Sequence, residues 1–115
     1  MINRTLLLAA LALAGCATIQ LPADRLQSSE ASIRSAEEMG ASAVPAARLH
    51  LQYAKDETIA AKKLAEAGDS RALLVLAKAE SDAELALGLA REVTVHSEAA
   101  RAAEDLKAVR ARPSP

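Results

Sequence analysis

Few residues of this chain are equipped for chemistry. Of 115 residues, one is a cysteine, Cys16, and two are histidines, His50 and His96. A zinc-type centre needs His and Cys at close spacing, such as two His one helical turn apart. His50 and His96 fall on different predicted helices, so each reads as a solvated surface residue. Glu80, Asp82 and Glu84 form a local acidic cluster. Glu80 and Glu84 share a helix face and mildly repel, and a hard cation would need more oxygen ligands on a turning loop. Asp56 and Glu57, near Lys62 and Lys63, read as surface ion pairing, worth ~0–1 kcal/mol when exposed. The sequence has no glycine-rich phosphate loop and no Ser-His-Asp set. Arg101, Lys107, Arg110 and Arg112 are offset by Glu98, Glu104 and Asp105, and the formal net charge is −1. A nucleic-acid binder would show a basic stripe instead. The expectation is a non-enzymatic protein without a catalytic residue, a metal, a cofactor or a nucleic-acid partner.

Cys16 stands apart because of what precedes it. Arg4 supplies a positive start, and residues 5–14 are an uncharged run rich in Leu and Ala. That run is too short to span a bilayer, which takes ~20 apolar residues; it reads as a secretory signal. Leu13-Ala14-Gly15-Cys16 resembles the lipobox of bacterial lipoproteins, an aliphatic residue and two small ones before Cys. The resemblance implies cleavage between Gly15 and Cys16 and acylation of the Cys16 thiol. Such an anchor holds firmly, because each buried CH₂ is worth ~0.8 kcal/mol and two chains suffice. In enterobacterial lipoproteins an Asp after the Cys favours inner-membrane retention. Ala17 therefore implies the periplasmic face of the outer membrane.

The elements that could present a contact surface must come from what remains. Cleavage would leave 100 residues carrying 13 basic and 15 acidic side chains, at most one small domain. The chain is 51% hydrophobic, but 29 of those residues are Ala and only one is aromatic, Tyr53. That composition excludes a β-sandwich or barrel, whose strands favour aromatic and β-branched residues. It predicts an all-α fold with a thin core, marginal as a monomer or stabilised by self-association along a helix seam.

Punctuation divides the helices. Pro22 and Asp24 suit a helix start and Gly40 an end. Pro45 suits the first turn of a second helix, which Gly68 closes, and Asp69 or Ser70 can cap a third. The expected helices cover about 23–39, 45–67 and 70–111, after a tether at 16–21 and before a disordered tail at 112–115. The architecture is an antiparallel hairpin or three-helix bundle with a long third helix, ~60 Å by rise. That helix either projects or bends. Its weakest stretch is 88–97, with Gly88 and the β-branched Val93, Thr94 and Val95.

Two uncharged seams run at heptad spacing. The second helix carries Ala47, Leu51, Ala54, Thr58, Ala61 and Ala65, widened by Tyr53, Ala60 and Leu64. The third carries Ala72, Leu76, Ala79, Ala83, Ala86, Ala90, Val93, Ser97 and Ala100, widened by Leu73 and Leu87. The first helix offers Leu26, Ile33 and Ala36. The outer part of the third helix, with Val93, Ser97 and Ala100, is the candidate interaction surface.

Residues 31–41 (Ala-Ser-Ile-Arg-Ser-Ala-Glu-Glu-Met-Gly-Ala), Val44-Pro45, Leu64-Ala65-Glu66-Ala67-Gly68-Asp69 and Asp82-Ala83-Glu84-Leu85-Ala86 occur in a telling order. Over roughly residues 22–92 the chain resembles a helical domain of bacterial lipoproteins, domain of unknown function 4398. The resemblance implies a periplasmic helical module, sometimes followed by a peptidoglycan-binding domain for which this sequence shows no counterpart. It transfers no catalytic residue and no peptidoglycan motif. The expectation is a lipid-anchored envelope lipoprotein acting as a spacer or adaptor, with a protein partner or self-association. The alternative is a noncovalent peptidoglycan- or ligand-binding module.

Overall fold

The computed structural model describes residues 18–112. The signal segment, the lipobox residues Leu13, Ala14, Gly15 and Cys16, and residues 113–115 lie outside the described residues. Three α-helices follow one another: α1 (Ala23–Glu38), α2 (Pro45–Glu66) and α3 (Arg71–Arg110). A 3₁₀ turn, Ala41–Ala43, joins the first two. At 1.5 Å per residue their 16, 22 and 40 residues give lengths of ~24, ~33 and ~60 Å. The fold is all-α, a short three-helix bundle with a long third helix.

The helix ends follow local chemistry. Gly40 and Gly68 take the left-handed conformation, with φ of 78° and 73°, which costs a residue bearing a Cβ ~1–2 kcal/mol. At the end of α2 the Gly68 amide donates to the Ala65 carbonyl and the Asp69 amide to the Leu64 carbonyl. This Schellman pairing satisfies carbonyls that the helix leaves orphaned. Pro45 occupies the first turn of α2. Asp69 rather than Ser70 caps α3: its carboxylate accepts the Arg71 amide at 2.9 Å and the Arg71 guanidinium. Those bonds lower the Asp69 pKa to about 2.

The seams pack as their spacing requires. The buried residues of α2 are Ala47, Leu51, Ala54, Thr58, Ala61 and Ala65. Those of α3 are Ala72, Leu76, Ala79, Ala83, Ala86 and Ala90. Small side chains at these positions let the helices approach closely. α1 lies mainly on α3 and buries Ser29, Ile33 and Ala36; Leu26 is only half-buried. Tyr53 and Leu73, expected to widen the seams, stay exposed, because an alanine contact leaves no depth for side chains at its flanks.

One expectation changes, and one open alternative is decided. Residues 18–21 are not a free tether, since the Ile19 amide donates to the Ala65 carbonyl at 2.9 Å. The chain therefore enters the bundle beside the α2–α3 turn. The third helix is continuous through Gly88 and the β-branched stretch. Thr94 Oγ1 donates to the Ala90 carbonyl at 3.2 Å and Ser97 Oγ to the Thr94 carbonyl at 2.8 Å, so neither hydroxyl diverts the backbone from its helical ladder.

Candidate interaction surface

α2 runs antiparallel to α3 and is about half as long, so their contact must end midway. Ala47 and Leu51, near the start of α2, share a core cluster with Ala86 and Ala90. Ala90 is the last buried residue of α3. Every residue from 91 to 110 is exposed except the half-buried Thr94. Val93, Ser97 and Ala100 continue the buried seam into this uncovered half, and all three are exposed. Self-association along the whole seam is closed off while the hairpin is formed, because its first six positions are already covered.

The uncovered half is held as helix by its own composition. Ala99, Ala100, Ala102, Ala103 and Ala108 are strong helix formers. Lys107 pairs with Glu104 at 2.8 Å, His96 lies 3.8 Å from Glu92, and Lys107 and Arg110 complement the negative end of the helix dipole. Val93, Val95, Leu106 and Val109 are its exposed large apolar side chains.

The charged residues nearer the core form cross-helix links rather than a site. Asp56 and Glu57 do not pair with Lys62 and Lys63. Glu57 instead binds Lys78 of α3, Lys62 reaches Glu30 of α1 at 2.7 Å, and Asp56 accepts from Gln52 at 2.9 Å. Nor is Glu80–Asp82–Glu84 a uniformly solvated face. Glu80 holds the Arg25 guanidinium through two bonds, that from Nε at 3.1 Å. Asp82 accepts from His50 Nδ1 at 2.6 Å. Burial pushes the Asp82 carboxyl up, but the bonds from His50 and Lys78 outweigh it and hold the group below the usual carboxylate range. His50 is therefore a half-buried bridge between α2 and α3 and not a surface residue; His96 is exposed. The cross-helix partners lie 21 to 55 residues apart, beyond what local spacing can reveal.

A second feature was not legible beforehand. A polar groove of about 380 Å³ lies between α1 and α3, lined by Arg25, Ser28, Ser29, Ser32, Glu80 and Glu84 among others. The Ser29 hydroxyl is buried beside it without a hydrogen-bond partner. Among the described residues no group of three or more His, Cys, Asp or Glu is placed to hold a metal ion. No described helix is long and apolar enough to cross a membrane. No family model, curated protein or solved structure matches the chain.

Proposed function

We propose that the chain is a lipid-anchored lipoprotein of the bacterial outer membrane that works, without catalysis, as a periplasmic spacer or protein-interaction adaptor. One observation carries the reading: residues 91–110 of α3 project uncovered from a closed hairpin. The chain enters at the other end, where Ile19 is bonded beside the α2–α3 turn. An acylated Cys16 would hold that turn near the membrane. The uncovered half of α3 would then stand ~30–60 Å beyond the turn. The anchor is supported by Leu13-Ala14-Gly15-Cys16, and the choice of membrane by Ala17.

In vivo crosslinking of the full chain, with mass spectrometry of captured proteins, tests the adaptor role. Deleting residues 93–111 should abolish specific crosslinks, and unchanged crosslinks would refute this placement. Incorporation of a fatty-acid analogue tests the anchor separately. It should vanish in Cys16→Ala, and persistence would overturn the lipoprotein reading.

A second reading, a noncovalent peptidoglycan- or ligand-binding module, is favoured by the groove between α1 and α3 and the unpartnered Ser29 hydroxyl. Sedimentation with purified sacculi separates the two, since an adaptor need not pellet. Pelleting that is lost on substituting Ser28 and Ser32 would favour the groove.

A further inference from the structure

The uncovered half of α3 carries an apolar seam that is not the extension of the buried one. Val95, Ala99, Ala102, Leu106 and Val109 follow one another at alternating spacings of four and three residues, the a/d pattern of a coiled coil. At about 100° per residue this face lies roughly 150° around the helix from Ala83, Ala86 and Ala90. It is open: Val95 is 62%, Leu106 51% and Val109 59% exposed, and Ala99 and Ala102 are exposed too. Its start is marked by Glu92, whose charge interrupts the pattern one step before Val95.

The charges on its shoulders select an occupant. Glu98 and Asp105 flank one side; His96, Ala103 and Arg110 flank the other. In a parallel, in-register pair of such helices, each flanking residue meets the partner's residue five positions on. Asp105 then faces Arg110 of the second copy, twice by symmetry, and Glu98 faces the neutral Ala103. In an antiparallel pair centred on Ala102, Glu98 would face Asp105, twice by symmetry and unfavourably, and Arg110 would lose its acidic partner. The face is thus complementary to itself in one direction only.

We propose that this face is a self-association surface, on which two copies pair in parallel through Val95, Ala99, Ala102, Leu106 and Val109, with Asp105 of each opposite Arg110 of the other. Parallel pairing leaves both α2–α3 turns at the same end of the dimer. The seam is short, about two heptads, so association in dilute solution is weak and holding both copies on one surface strengthens it. The proposal does not rest on the lipid anchor.

Variants of the full chain with one added cysteine test it by oxidative crosslinking, with circular dichroism confirming unchanged helix content. Ala99→Cys and Ala102→Cys should form disulfide dimers, while Ser97→Cys and Ala108→Cys, on the far side of the helix, should not. Adding Arg110→Asp to Ala102→Cys should lower the dimer yield roughly tenfold, because two attractions become repulsions. The swap Asp105→Arg with Arg110→Asp should restore it. Dimers from Ala102→Cys alone would mean antiparallel pairing and overturn the proposal. Equal yields at all four positions, or none at any, would overturn it too. The parent chain, whose one thiol is Cys16, sets the baseline. A dimer from the parent would report an unacylated Cys16 and count against the lipoprotein reading alone. The four positions would then be scored in Cys16→Ala.

Discussion

Leu76→Ala and Leu106→Ala remove the same atoms from opposite halves of one helix, and the structure assigns them very different costs. Leu76 is 0% exposed and has the largest side chain among the fully buried residues. Its seam neighbours Ala72 and Ala79 are alanines, which have no side-chain length with which to fill a void. The site can collapse only by moving a helix, so the loss belongs at or above ~3 kcal/mol in the range for buried leucines. For a domain of this size 1 kcal/mol corresponds to ~4–8 °C in Tm, so Leu76→Ala should melt ~12–24 °C lower. Leu106 is 51% exposed on the uncovered half. Its replacement should stay within ~0.5 kcal/mol of the parent, helped slightly by the higher helix propensity of Ala. Urea melts of residues 17–115 followed by circular dichroism would read both changes, at protein concentrations low enough to dissociate any dimer. A cost below ~1 kcal/mol for Leu76→Ala would refute the placement of the core. Equal costs for the two would refute the division of α3 into packed and uncovered halves.

Gly88 sits in the helix with open space where a Cβ would go, so Gly88→Ala should stabilise by ~0.5–1 kcal/mol and raise Tm by several degrees. Gly68→Ala should do the reverse by ~1–2 kcal/mol, because φ is 73° there; unchanged melting would contradict the Schellman turn. Asp69 and Asp82 have pKa values lowered by folding, so their stabilisation is complete above the unfolded value of ~4 and is lost as pH falls through the folded value. Tm should therefore hold from pH 7 to 5 and drop between about pH 4 and 2, less steeply in Asp82→Asn; an equally steep drop in that variant would remove Asp82 from the account. Amide hydrogen exchange should be slow across residues 72–90 and fast across 95–110, and uniform protection along α3 would contradict the uncovered end.

The twelve buried residues of α2 and α3 were legible because each helix buries one straight stripe, and a stripe on a helix is a spacing rule. Gly40, Pro45 and Gly68 were legible for a similar reason, since φ restrictions act within a residue or two. The cross-helix pairs were not. Glu57 has lysines five and six positions away in sequence, yet the folded hairpin offers it Lys78 from α3. Choosing between those partners requires the register of two antiparallel helices, which no local pattern encodes. Ser29 was missed because a hydroxyl on α1 reads as exposed until α3 is seen to cover it. The candidate surface was placed on the uncovered stretch of α3, but by extending the frame of residues 72–90. Three of the four larger apolar side chains there, Val95, Leu106 and Val109, follow a frame displaced by two residues, on a face the hairpin never uses.

That displacement bears on what the long helix is for. Nothing in the core requires residues beyond Ala90, and as an isolated helix this segment would have to nucleate by itself. Continued from a packed segment it avoids the unfavourable nucleation step and gains one hydrogen bond per residue ordered. The projecting half is therefore inexpensive to build as a rod, provided the junction with the packed half is stiff. Gly88 lies at that junction, two residues before cover ends, and is the most permissive residue in α3. A glycine lowers the resistance of a helix to bending, so a pivot is expected where α3 leaves the hairpin. A rod pivoting there can bring the face of Val95 and Leu106 against a second copy without disturbing the alanine contact that holds α2 to α3. Gly88→Ala should then stabilise the fold while narrowing the range of rod orientations. A spin-label distance from residue 49 to residue 108 should sharpen in that variant, and an unchanged distribution would show that the pivot is elsewhere.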